Sequence, residues 1–262
     1  MGARVTDLRT EEFHGEQGNV AIETVSVDQM TQWLETGRPF AFSHYGDGEL
    51  QAIMAMPGGS GDNLIDGYRY TPRLVRELRN TVLTPHARPY CYGISPAAFR
   101  LNAKGAAEKA IEMYAPSVSW CDGQALARAS ARGELHGFIE ALGKYHIIYV
   151  GPAHVRKALS GALTIDEFIE VPLRNANALV ADVIMQLIMA LGYGPFKADT
   201  LIGFSAGALS NIVMHTLWTS YWGLTMIDFG SMWDPYAGLM TRSYFRMVED
   251  WPAVIHRNLY GE

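Results

Sequence analysis

The second half of the chain alternates between two hydrophobic rhythms, and that alternation limits the fold more than any other feature. "KYHIIYVG" is a short β-branched and aromatic run, the composition of a strand buried on both faces. "PAHVRKAL" behind it reads as helix, and "EFIEVP" as a short strand. "NANALVADVIMQLIMALG" is a long helix, apolar on most sides and therefore expected to be well buried. "ADTLIGF" (strand), "SAGALSNIVMHTLWTSYWG" (helix) and "LTMIDFG" (strand) complete the series. Parallel neighbours need a crossover of roughly a dozen residues, which a helix supplies. The pattern predicts a doubly wound, mostly parallel α/β sheet with helices on both faces.

The first half keeps the same rhythm. "SVDQMTQWLETG" has helical spacing and a glycine stop, followed by the strand "PFAFSHY" and the helix "ELQAIMAM". "TPRLVRELRNTVL" opens with a Thr cap and Pro at the first helical position, and the strand "RPYCYGI" follows. "SPAAFRLNAKGAAEKAIEMY" starts with a similar signal. A short strand is expected at "SVSWCD", with one helix from there to about Leu142. With 262 residues, 48% hydrophobic and 18% charged, one large core is possible. Residues 1–20 read as a loose polar tail and residues 21–262 as a single domain.

Several function classes lose support. A net charge of -6 makes a poor general binder of phosphate backbones. Arg73, Arg76 and Arg79 at helical spacing are the exception, and they read first as a solvated helix face. Two cysteines, Cys91 and Cys121, in unlike contexts form no disulfide framework, which suits a reducing, cytoplasmic setting. No apolar run approaches the roughly 20 residues of a membrane span. "MGARVT" fits a loose myristoylation pattern, against which an ordinary start is the plainer reading.

In open parallel sheets, ligands bind beyond the carboxyl ends of the strands. Four such ends carry glycine or small polar residues: "HYGDGE", "YVGP", "GFSAG" and "IDFGS". In the first, Asp47 and Glu49 are two residues apart. In an extended segment they would point to one side, roughly 6–7 Å apart, and could share a divalent cation. An ion held by two carboxylates keeps open positions for phosphate oxygens. The plainer reading makes Asp47 a helix cap and Glu49 a partner of the helix dipole. "GFSAG" matches the strand–turn–helix motif of a serine nucleophile, with Asp228 and His256 following in hydrolase order. The gap from Ser205 to Asp228 holds one helix and one strand, short for a hydrolase, and no oxyanion segment is evident. A milder reading makes Ser205 a cap or an anion contact at a helix N-terminus. Asp228 itself could simply cap the next turn.

Taken in order, "HYGDGE", "PLRNANA", "LIGFSAGAL" and "IDFG" resemble the GT-D type bacterial and phage glycosyltransferases, over about residues 20–238. The resemblance implies a Rossmann-like fold, a nucleotide-sugar donor, UDP-linked, and a manganese or magnesium ion. It implies that Asp47 and Glu49 face the metal and that Asp228, with Glu49 as second choice, is the base. Tyr45, Gly46, Gly48, His44, Asn175 and Ser205 are then donor contacts. His44 stands where the family has arginine, which would grip a phosphate with two parallel bonds; histidine cannot. The acceptor would be a hydroxyl on a glycan, a glycoprotein or a modified DNA base, and the protein a possible homo-oligomer. The alternatives are the serine hydrolase and a nucleotide-binding module without turnover. His154 and His215 are further candidate contacts. The glycine-rich loop Met56–Gly67 is expected to close over the cleft.

Overall fold

The computed structural model describes residues 15–17, 20–54, 71–95, 106–192, 199–221 and 223–262. The loop Met56–Gly67 lies outside them, as does the Ser95–Pro96 helix start beyond Ser95. Strands β1 (Gly15–Gln17) and β2 (Val20–Glu23) lead into α1 (Val27–Glu35). Then come β3 (Ala41–Tyr45), α2 (Asp47–Met54), α3 (Pro72–Leu83), β4 (Tyr90–Ile94) and α4 (Ala106–Tyr114). β5 (Trp120–Asp122) is followed by α5 (Ala125–Arg132) and α6 (His136–Leu142). From there β6 (His146–Gly151), α7 (Ala153–Leu159), β7 (Glu167–Glu170) and α8 (Val180–Leu191) alternate. β8 (Thr200–Phe204), α9 (Ala208–Ser220), β9 (Thr225–Asp228) and α10 (Trp251–Tyr260) complete the chain.

The strands form one sheet in the order β1-β2-β5-β4-β3-β9-β8-β6-β7. β2 to β9 are all parallel. β1 alone is antiparallel: Gly15–Gln17, which reads as tail in the sequence, pairs with Val20, Ala21 and Ile22 along the edge. Because side chains alternate across a strand, the sheet carries two cores. Ile148 and Val150 of β6 enter one, with residues of α2, α3, α4, α8 and α9. Ile147 and Tyr149 enter the other, with residues of α1, α5, α6 and α7. The fold class read from the alternation is the one observed.

Two local readings change. The single helix expected before Leu142 is two, because Gly133 takes the left-handed conformation (φ 77°) and caps α5. α8 is not buried all round: Met185 and Met189 are 56% and 71% exposed. A helix covering one face of a sheet needs one apolar stripe, and α8 carries more apolar residues than that stripe uses. Among the described residues no helix is long and apolar enough to cross a membrane, and Cys91 and Cys121 are buried free thiols.

The topology places a crevice. From β3 the chain steps outward through β4 to β5, whereas β6, β7, β8 and β9 build the other side. β3 and β9 meet at the seam of the two halves. Their carboxyl ends, Tyr45 and Asp228, open where such sheets bind ligands.

Candidate active site

The carboxylate pair lies in a helix, not a strand. β3 ends at Tyr45, and α2 begins at Asp47. Residues two apart on a helix diverge by about 200° around its axis, so the same-side argument for Asp47 and Glu49 does not hold. Glu49 instead folds back, and its Oε2 accepts the Gly46 N–H at 2.9 Å. This is half of a capping box, with Glu49 in the third helical position. A Cβ on Gly46 would stand 3.0 Å from that oxygen, so the glycine makes room for the carboxylate. Gly48 sits inside the first turn of α2.

Across the seam from β3 stands Asp228, at the end of β9. The register of β3 against β9 brings the two strand ends together, and the negative charge of Glu49 acts on the Asp228 carboxyl. Asp228 is 3% exposed. Burial first, and Glu49 after it, push its carboxyl well above the usual carboxylate range. The Gly230 N–H donates to its Oδ1 at 3.0 Å and partly offsets that shift, as do Ser210 and the His44 backbone. Gly230 takes a left-handed turn (φ 54°), and His44 Nδ1 would be 3.8 Å from a Cβ there.

His44 therefore lies between the two turns. Its Nε2 is 3.1 Å from Gln124 Nε2, and that amide nitrogen also donates to Ser95 Oγ at 3.1 Å. Burial, and then the Arg242 guanidinium, lower its pKa to about 4. The ring is neutral at physiological pH. Its neighbour Tyr45 points the other way, as strand alternation demands. Tyr45 is fully buried, edge-on to Trp120, with its hydroxyl 2.8 Å from Thr81 Oγ1. The expectation that Tyr45 contacts the donor is corrected: it is a core residue.

Ser205 is at the neighbouring strand end, and its hydroxyl is 2.7 Å from Tyr149 OH. No histidine among the described residues bonds to it. His256 is on α10, against the Tyr260 ring, and α10 packs on α5 and α6. Nor does Ser205 cap the helix. Its N–H is used by Val150 O at 2.9 Å, and α9 starts after Gly207. The strained backbone of this turn belongs to Gly207 (φ 57°, ψ −138°), a conformation adopted readily by glycine alone. These contacts remove the geometric basis of the hydrolase triad Ser205, Asp228 and His256.

The other candidates scatter. Asn175 follows β7 in the left-handed conformation (φ 56°) and opens the 3-10 turn Ala176–Leu179, which packs on α9. His154, beyond β6, bonds Asp234 Oδ1 at 3.0 Å and ties α7 to the segment after β9. His215 is at the opposite end of the sheet, where its Nε2 reaches Thr84 O at 3.0 Å and its ring lies against His86. Arg73 pairs with Glu77, and Arg79 donates to Ile53 O and covers the Tyr114 ring, so they make no open basic stripe. Gln124, Ser210 and Arg242 reach the site unforeseen. Only Gln124 had a local signal, the Asp-Gly pair at a strand end in "WCDGQ".

A hard divalent cation suits this donor set. Magnesium commonly takes one or two carboxylates plus substrate phosphates, and carboxylate oxygens suit manganese equally. Among the described residues no group of three or more His, Cys, Asp or Glu is arranged to hold an ion. The half-buried Glu49 adds to the cost of ionising buried Asp228, and a cation nearby would lower that cost.

No family model matches this chain, and no curated protein does. Solved structures do. One, described as a domain of unknown function 1792 with "a distinct glycosyltransferase fold", matches at a TM-score of 0.58 and 14% identity, over 82% of this chain and 80% of that one. Another, described as "A New Glycosyltransferase (DUF1792) from Streptococcus sanguinis", matches at 0.60 and 13%, over 86% and 85% of the two chains. The fold is a glycosyltransferase fold. A further DUF1792 structure agrees, at a TM-score of 0.59 and 12% identity over 82% of this chain and 80% of that one. At such identity the likeness is one of architecture.

Proposed function

We propose that the protein is a metal-dependent glycosyltransferase that moves a hexosyl or pentosyl group from a nucleotide sugar, UDP-linked, to a hydroxyl acceptor. The observation that carries this reading is the buried carboxyl of Asp228 at the β3–β9 seam, held by the Gly230 N–H and within the field of Glu49, in a fold matched by glycosyltransferase-fold structures. Glu49 would hold magnesium or manganese, and Asp47, on the diverging side of the first turn of α2, would reach the ion only through its waters; when bound the ion supplies positive charge to the departing diphosphate and favours ionised Asp228.

Asp228 is the base in an inverting transfer. The bond between the anomeric carbon and the diphosphate oxygen breaks, and its electron pair leaves with the diphosphate. The acceptor oxygen bonds the anomeric carbon and gives its proton to Asp228. Burial makes Asp228 more basic than a surface carboxylate, and the Gly230 N–H fixes its orientation. A glycan or glycoprotein hydroxyl is the favoured acceptor, since Arg73 and Arg79 are engaged within the protein and the net charge is -6.

The test is a donor screen. Nucleotide release from UDP-, GDP- and ADP-sugars is measured with manganese and with a chelator. Release with at least one donor, abolished by the chelator, supports the reading. Equal release with the chelator removes the metal, and no release or binding with any donor removes the transferase.

A further inference from the structure

At the end of the sheet away from the crevice, two segments hold each other through histidines. The connection from α3 to β4, residues 84–89, lies against the last turns of α9. His86 Nε2 is 3.1 Å from the backbone oxygen of His215, and His215 Nε2 is 3.0 Å from that of Thr84. A carbonyl oxygen only accepts, so both Nε2 atoms carry hydrogen, and each neutral ring is the Nε2–H tautomer. The rings lie against each other with centroids 4.3 Å apart. Both are half-buried. The His86 N–H donates to Tyr92 OH at 2.9 Å and fixes the same connection to β4.

We infer that His86 and His215 form an acid-sensitive clasp between the α3–β4 connection and α9, closed while both rings are neutral and opened when both are protonated. A proton added to either ring goes to Nδ1 and leaves the Nε2–H bonds in place, so one charge is tolerated. Two imidazolium rings at 4.3 Å repel, and half-burial weakens the screening by water. Burial lowers both pKa values from the usual 6.5; the facing carbonyls offset this in part, and the charge of His86 lowers His215 further. Among the described residues, the other titratable groups against the pair are the phenols of Tyr90, whose ring is 5.2 Å from that of His86, and Tyr92. Burial raises both, so they stay protonated. Arg88, two residues on, is turned to Cys91 and Glu23. The open chain therefore binds protons near 6.5 and the closed clasp only below it. The stability that the clasp provides is full above pH 6.5 and is lost as pH falls. His215 is one helical turn from Asn211, whose Nδ2 donates to His44 O at 3.0 Å, so the helix that the clasp anchors is the one that holds the end of β3.

Nuclear magnetic resonance on the full chain tests this without a ligand. The ring signals of His86 and His215, identified by their contact with each other and by their loss in His86→Gln and His215→Gln, are followed from about pH 8 to about pH 4.5. Both should titrate below 6.5, and His215 should titrate higher in His86→Gln than in the wild type. Gln keeps a side-chain N–H for the facing carbonyl and takes no charge. In the wild type the His86 amide should lose protection from hydrogen exchange, relative to its intrinsic rate, as the rings titrate; in the double variant it should keep it. Titration of either ring at 6.5 or above, an unmoved His215 in His86→Gln, or equal loss of protection in the double variant overturns the inference. Where a glutamine variant does not fold, the ring-to-ring contact still identifies both signals in the wild type, and protection that persists after both rings have titrated overturns it.

Discussion

Two strand ends, on either side of β9, look equally functional as strings of letters, and they do different things in the fold. At the end of β3, glycine makes room for a carboxylate: Gly46 leaves space for Glu49, whose charge is felt at Asp228. At the end of β8, glycine makes room for packing. A Cβ on Gly203 would be 2.5 Å from Cδ2 of the Tyr149 ring, which is stacked on Phe168 and cannot retreat. Ser205 then shares a hydrogen bond with the hydroxyl of that same tyrosine. A motif marks a place where backbone is bare; what fills the space decides whether the place is a site.

The sharpest way to break the contrast is to remove one polar group from each end. Glu49→Gln or Asp228→Asn should lower transfer by about 100- to 1,000-fold, and Ser205→Ala by less than about tenfold. Steady-state rates with the donor found in the screen would show this. A loss at Ser205 matching that at Glu49, or stoichiometric labelling of Ser205 by a serine-directed phosphonate, would collapse the distinction.

The glycines make a second contrast. Gly203→Ala forces a methyl into a ring with no free side, and should cost about 2–3 kcal/mol of stability while the folded fraction keeps its rate. Gly46→Ala meets the far end of a flexible carboxylate. It should cost under about 1 kcal/mol and yet lower transfer several-fold by moving Glu49. Denaturant melts paired with rates per folded molecule separate the two. A destabilised but fully active Gly46→Ala would contradict the role given to that glycine.

The last effect concerns pH and leaves the rate of transfer aside. His44 binds its proton at about 4 when folded and near 6.5 when unfolded. The unfolded chain therefore takes up the proton first as pH falls. The stability that neutral His44 provides is present above pH 6.5 and lost progressively down to about 4. Asp228, shifted upward, works in the opposite sense, so the comparison is with His44→Asn rather than with wild type alone. The variant should lose about 1–2 kcal/mol less than wild type across that window. Identical pH profiles by chemical denaturation would show that His44 is not held neutral.

Much of the architecture was legible because it is written locally. A strand buried on both faces announces itself in "HIIYV", a cap in Ser26 or Thr71 with Pro72, a stop in Gly37. The crevice was legible too, since strand ends in a parallel sheet share one side. The exposed methionines of α8 were not, because apolar composition says that one face can be buried, not that all must be.

The sequence by itself determined the alternation of strand and helix, hence the parallel sheet, and the placing of Asp47, Glu49 and Asp228 at strand ends. These follow from side-chain periodicity and helix signals that act over a few residues. Tertiary structure decided which of those residues meet. The β3–β9 pairing brought Asp228 within the field of Glu49 across most of the chain length. Alternation across β3 sent Tyr45 into one core and left His44 at the crevice. The return of the segment after β9 delivered Arg242, in a stretch with no local pattern to announce it. Contacts like these depend on strand order and register, which are settled by burying both faces of the sheet at once.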